Sequence, residues 1–176
     1  MTQLYEILIV AGPNGAGKTS FVKQFLATQM RSYNFVNADE IAKGMAGHGI
    51  PQAQIDFRVG REMLKRIRQS VELGDNIIVE TTLASSNWLK HFPDWRSAGY
   101  GIMLYYLRLP NVEAAVARVR RRAATGGHDI PELVIRRRFK RSLANLDVVY
   151  KPNVDAWYVF DSLEGGDPQL AESWSS

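Results

Sequence analysis

The chain has 176 residues, no cysteine, a formal charge of +4, and 45% hydrophobic and 23% charged residues. That length suits a single domain with a sizeable core, and no apolar run approaches the roughly 18 residues that a membrane crossing needs. Without cysteine there can be no disulfide, cysteine-ligated zinc or thiol nucleophile; with no leader pattern at the start either, the expected location is the cytoplasm.

Ile7 to Ala11 is a continuous apolar run of the kind that forms a buried parallel strand. Gly12-Pro13-Asn14-Gly15-Ala16-Gly17-Lys18-Thr19 follows directly and fits G-x-x-x-x-G-K-[ST]. Phe21, Val22, Phe25 and Leu26 then recur at helical spacing, so a helix begins near Lys18 and extends to Gln29. The glycines let backbone approach a ligand closely, and Pro13 stiffens the turn. Successive N–H groups and the helix N-terminus make a nest for phosphate oxygens reaching to Ser20. Lys18 would reach the β and γ phosphates of a nucleoside triphosphate, ATP or GTP, and the Thr19 hydroxyl would hold Mg²⁺. The competing reading is a glycine-rich turn that binds nothing; the complete motif and both flanks speak against it.

Tyr33 to Asn37 reads as a second strand, followed by a helix through Ala46 and a break at Gly47-His48-Gly49-Ile50-Pro51. Gln52 to Leu73 is a long amphipathic helix, with Ile55, Val59, Met63, Ile67 and Val71 on its apolar side and Gly74 as its stop. Asn76 to Glu80 is a third strand that delivers Glu80-Thr81-Thr82 at its end. Ser85 to Ser97 reads as helical, interrupted near Pro93, and Gly101 to Leu107 as a fourth strand ending at Arg108. Asn111 caps a helix from Val112 to Ala124, residues 126–129 break it, and Pro131 opens another helix to about Asp147. Ala156 to Phe160 is a fifth strand, and residues 162–176 read as a loose tail.

Strands alternating with helices predict a doubly wound α/β domain over residues 1–176, in three layers around a parallel five-stranded sheet. Ligands in such sheets bind at the carboxyl ends of strands. That places the glycine loop, Asp39, the Glu80 to Thr82 segment and Arg108 on one rim. Asp39 is the candidate base for a hydroxyl acceptor's proton, or alternatively an N-cap for its helix. Glu80 could bind Mg²⁺ through water, orient substrate, or pair with an arginine. Thr81 and Thr82 read as substrate donors or as plain strand formers. From Arg108 to Arg141 ten basic residues face three acidic ones, a local charge of +7 that implies a polyanionic partner or a solvated helix face. Arg118 and Arg122 share one face, and Arg136, Arg137 and Arg138 follow the glycine break, the arrangement of a mobile lid over residues 118–141. His128 reads as a structural hydrogen-bonder rather than a catalyst.

The glycine loop, Asn37-Ala38-Asp39-Glu40-Ile41, Gly60-Arg61, Glu80-Thr81-Thr82-Leu83, the segment Gly126 to Pro131 and Arg137-Arg138-Phe139 together resemble the zeta-toxin-like branch of P-loop kinases, from about Ile7 to Leu146. Zeta toxins phosphorylate the sugar 3′-hydroxyl of UDP-N-acetylglucosamine with ATP or GTP. The resemblance implies Lys18 as the loop lysine and Asp39 as the base. It puts Glu40, Arg61, Glu80, Thr81 and Thr82 in the substrate site. It makes Arg122 the first lid arginine and one of Arg136 to Arg138, with Arg138 favoured, the second. It also implies a possible small antitoxin as partner. The alternatives are a nucleotide-dependent hydrolase or switch acting through a protein partner, and a nucleic-acid-binding module, which the near lack of aromatic residues among the arginines, Phe139 alone, disfavours.

Overall fold

Strand β1 (Tyr5–Ala11) is buried along nearly its whole length, and its side chains feed two different cores. Ile7, Ile9 and Ala11 face one way; Leu8 and Val10 face the other. A strand apolar on both faces needs a layer on each side, and the chain supplies both. Helix α1 (Lys18–Thr28) covers one side with Phe21, Val22 and Phe25. Helices α2 (Ala38–Met45) and α3 (Gln52–Leu73) cover the other, where Ile41, Val59, Met63 and Ile67 are buried. These positions come from a computed structural model that describes residues 5–28, 32–45, 52–127 and 129–175, with the side chains of 52–56 left aside. The expected break at 47–51, the last residue of the first helix, the Ile55 side chain and His128 lie outside the described residues.

The sheet runs β2-β3-β1-β4-β5-β6, with β2 (Tyr33–Asn37), β3 (Asn76–Thr81), β4 (Tyr100–Arg108) and β5 (Ala156–Asp161) parallel to β1. The chain steps outward from β1, returns to its side as β3, then crosses to its other side as β4. The crevice at that reversal lies at the end of β1, where the glycine loop stands. Register makes three strand ends level there: Val10 pairs with Glu80, and Glu80 pairs with Asn37.

Two expectations need correction. The sheet has six strands: β6 (Gln169–Ser175), in the segment read as a loose tail, pairs antiparallel with β5. All seven of its residues are exposed, so side-chain patterning carried no signal. The backbone ladder and Glu172, held by Arg108 at 2.7 Å and Lys151 at 3.4 Å, keep it in place. The segment read as helical with an interruption near Pro93 is a 3₁₀ turn, Asn87–His91, followed by α4 (Phe92–Ser97), with Pro93 in the first turn of α4. Arg108 joins no cluster at the crevice; it pairs with Asp161 and Glu172 and ties β4 to the two strands beyond it.

Helix α5 (Val112–Ala124) starts as expected, with the Asn111 side chain accepting from the Ala114 amide at 2.9 Å. Ala115, Val116 and Val119 of α5 and Ile135 of α6 (Glu132–Asn145) share a cluster with Ala16 of the loop. No helix among the described residues is long and apolar enough to cross a membrane.

Candidate active site

The loop takes its shape from three glycines at positive φ: Gly12 at 143°, Gly15 at 81° and Gly17 at 85°. Gly12 is glycine for a second reason, since a Cβ there would stand 2.4 Å from the Leu107 carbonyl oxygen of β4. Gly17 differs: a Cβ would meet nothing within 4 Å, so the backbone there faces open space. The Asn14 Oδ1 at the tip is buried without a hydrogen-bond partner among the described residues. An open amide cradle with an orphaned polar atom fits a polar ligand seated on the loop.

Lys18 is buried and donates through Nζ to the carbonyls of Gly12 at 3.0 Å and Pro13 at 3.1 Å. Burial pushes its ammonium below the usual lysine value; Glu80 and Asp39 oppose that shift, and Arg122 and Arg138 add to it. Those opposing effects also locate the groups: both carboxylates and both arginines are close enough to Lys18 for their charges to register there. Arg122 and Arg138, which come from α5 and α6, thus bear on one point.

Thr19 Oγ1 donates to Glu80 Oε2 at 2.9 Å, and Asn37 Nδ2 donates to the same oxygen at 3.0 Å. Glu80 is buried at the end of β3, and burial raises its carboxyl above the ordinary range. Lys18 and the Thr19 hydrogen bond pull it down, while Asp39 and Glu40 push it further up. The other end of the Asn37 amide accepts from the Asp39 amide at 2.7 Å. Asn37 therefore caps α2, and the capping role considered for Asp39 belongs to its neighbour. The Asp39 carboxylate is exposed and has no hydrogen bond or ion pair among the described residues.

Asn37 is the residue that sequence reasoning passed over. Its signal was available: a polar side chain ending an apolar strand, two residues before an acid, is an Asx-type start for a helix. What it touches across the sheet was not available, because that depends on β2 lying beside β3.

The other candidates divide. Thr81 is used locally, its Oγ1 accepting from the Leu83 amide at 3.2 Å, where Leu83 takes a positive φ of 59° with its side chain fully buried. Thr82 is half-buried, Glu40 is exposed, and Arg61 is exposed with its guanidinium 5.9 Å from the Phe57 ring centroid. Arg118 is committed: its guanidinium donates to the Ser162 hydroxyl and carbonyl, each at 2.9 Å, and Ser162 in turn donates to the Ala16 carbonyl at 2.9 Å. Arg136 is tied to Glu132 and Glu113 on the surface, whereas Arg138 is half-buried with no ion pair among the described residues. Gly126 and Gly127 close α5 by donating to Ala123 and Arg122 carbonyls.

Beside the loop lies a cleft of about 530 Å³, lined by Gly17, Ser20 and Gln24, by Arg118 and Arg122, and by the segment 162–168 after β5. Its size suits a nucleoside continuing from phosphates on the loop. No group of three or more His, Asp or Glu among the described residues could hold a metal ion alone.

Residues 7–148 match the AAA domain family. An uncharacterized protein of Haemophilus influenzae is 24% identical over 140 residues, covering 76% of this chain and 92% of that one. Among solved structures, the Pnkp1/Rnl/Hen1 RNA repair complex aligns with a TM-score of 0.69 at 21% identity, over 84% of this chain and 47% of that one. AvrRxo1-ORF1:-ORF2 with ATP gives 0.69 at 15%, over 97% and 58%. The PezAT chromosomal toxin-antitoxin system of Streptococcus pneumoniae gives 0.69 at 14%, over 98% and 74%. The chain thus spans about half of the first structure and under two thirds of the second. These likenesses establish the fold as that of P-loop NTPases and kinases.

Proposed function

The chain belongs to the AAA domain family, and from that premise and the geometry of the crevice we propose that it is a Mg²⁺-dependent kinase passing the γ-phosphoryl group of ATP or GTP to a hydroxyl. One observation supports this most: a single hydrogen-bonded chain runs from Thr19 through Glu80 and Asn37 to the backbone amide of Asp39, whose carboxylate is exposed and has no partner among the described residues. A carboxylate at that place can take the proton of an acceptor hydroxyl entering from solvent, as transfer to an alcohol requires.

In this reading the loop amides and Lys18 hold the β and γ phosphates, and Lys18 exchanges its two carbonyl partners for phosphate oxygens. Mg²⁺, when bound, screens phosphate charge; Thr19 would hold it, with Glu80 behind the Thr19 hydroxyl. The acceptor oxygen forms its bond to the γ phosphorus as the bond to the β–γ bridging oxygen breaks, and its proton passes to Asp39. Arg122 and Arg138, on the lid formed by residues 118–141, meet the charge on the transferring group. Glu40, Arg61 and Thr82 surround the acceptor.

The acceptor we favour is a small molecule, a nucleotide sugar such as UDP-N-acetylglucosamine, with a small antitoxin as the companion protein. A polynucleotide 5′-hydroxyl is the second reading, since Arg137, Lys140 and Arg141 are exposed and carry no ion pair among the described residues. Transfer of radiolabelled γ-phosphate to a panel of UDP-sugars and 5′-hydroxyl RNA tests both. Labelled UDP-sugar supports the first, labelled RNA the second, and release of inorganic phosphate alone, undiminished in Asp39→Asn, would end the kinase reading.

A further inference from the structure

The cleft beside the loop also carries a preference for one base, an inference that rests on the phosphate-site reading above. Two carboxylates line it, Glu164 and Asp167. Glu164 is neutralised by Arg121 at 2.7 Å. Asp167 has no ion pair among the described residues; its Oδ1 accepts only from the neutral Gln24 amide, at 3.3 Å. Gln24 stands five residues beyond Thr19 on α1, roughly 7 Å along the helix from its phosphate-binding end. A carboxylate held there by Gln24 repels phosphate, so the part of the ligand it faces is the uncharged base.

A carboxylate only accepts hydrogen bonds. Guanine offers two adjacent donors on one edge, N1–H and the N2 amino group, spaced for the two oxygens of one carboxylate. Adenine offers a single amino donor beside the N1 lone pair, which the carboxylate repels. Gly165 and Gly166 complete the fit: a Cβ at either would meet nothing within 4 Å, so a flat ring can lie against bare backbone there. We propose that the donor nucleotide is a guanine nucleotide and that Asp167 is the residue that selects it.

The test is the affinity of the full chain for GTP, ITP, XTP and ATP with Mg²⁺, measured by calorimetry on the parent, Asp167→Asn and Gln24→Ala. The parent should bind GTP roughly tenfold or more tighter than ATP, as a paired edge discriminates between bases. ITP, which lacks the 2-amino donor, should fall between. Asp167→Asn should lose GTP and gain XTP, whose 2-oxo group accepts from the new amide, and Gln24→Ala should narrow the GTP preference by loosening the carboxylate. Asp167 is exposed, so its replacement should leave the fold intact. ATP binding as tightly as GTP in the parent, or an unchanged GTP-to-XTP ratio in Asp167→Asn, overturns the proposal alone. Failure of all four nucleotides to bind overturns the phosphate-site reading with it.

Discussion

Thr19 and Glu80 stand 61 positions apart in the chain, yet the hydroxyl of one donates to the carboxylate of the other at 2.9 Å. The contact joins the phosphate loop to the end of β3, and it exists because β3 is the strand hydrogen-bonded beside β1. Glu80 is buried, so this bond and the one from Asn37 offset part of the cost of keeping a carboxylate out of water.

That arrangement makes Glu80 a source of pH dependence. Its carboxyl is raised in the folded chain, chiefly by burial, so the folded state holds the proton more tightly than the unfolded state does. Its contribution to stability is fully present below the ordinary glutamate value and is lost as pH rises through the elevated one. Glu80→Gln should therefore flatten the melting temperature against pH above the ordinary glutamate value, where the raised carboxyl of the parent titrates. An equally steep curve in the variant would show that another group sets it.

Asp39→Asn should lower phosphoryl transfer by roughly 10²- to 10⁴-fold, the usual worth of a positioned base. Nucleotide affinity and melting temperature should barely change, because Asp39 is exposed and α2 is capped by Asn37. Single-turnover transfer beside a binding titration separates the two effects.

Asn37→Ala removes a buried amide that makes two hydrogen bonds, at 3.0 and 2.7 Å, and leaves one hydrogen bond fewer on Glu80. The expected loss is about 1–3 kcal/mol in urea unfolding. Asn37→Asp should place a second carboxylate against Glu80 and raise it further, which a steeper dependence of melting temperature on pH would register.

Of the lid arginines, Arg122→Ala and Arg138→Ala should each lower the turnover number by roughly 10³-fold or more, the range for an arginine that meets the transferring phosphoryl group. Arg136→Ala should change turnover less than twofold, since its partners are the surface carboxylates Glu132 and Glu113. Arg118→Ala should act differently again, loosening the Ser162 segment and weakening nucleotide affinity more than turnover. Steady-state kinetics that treat all four alike would contradict these placements.

Gly12→Ala should cost about 2 kcal/mol or more of folding stability, because the new methyl meets a β4 carbonyl rather than a yielding side chain. A thermal melt unchanged by this substitution would contradict the close packing of the loop on β4.

Much of the fold was written locally. The apolar run of β1, the glycine motif, the helical period from Gln52 to Leu73 and the Asn111 cap each depend on residues within a few turns of one another, and each stands in the structure as read. Asp39, Glu80, Arg122 and Arg138 were also legible as candidates, from residue type at strand ends and along helices; their charges all register at Lys18. What remained hidden depends on which strands are neighbours and in what register. The order β2-β3-β1 turns Asn37 into the bridge between Glu80 and Asp39, and Ser162 reaches the Ala16 carbonyl across 146 positions. Only pairing with β5 makes a strand of seven exposed residues. Local patterning determines which segments are strands and helices, while contacts that close long stretches of chain are decided by the packed sheet as a whole.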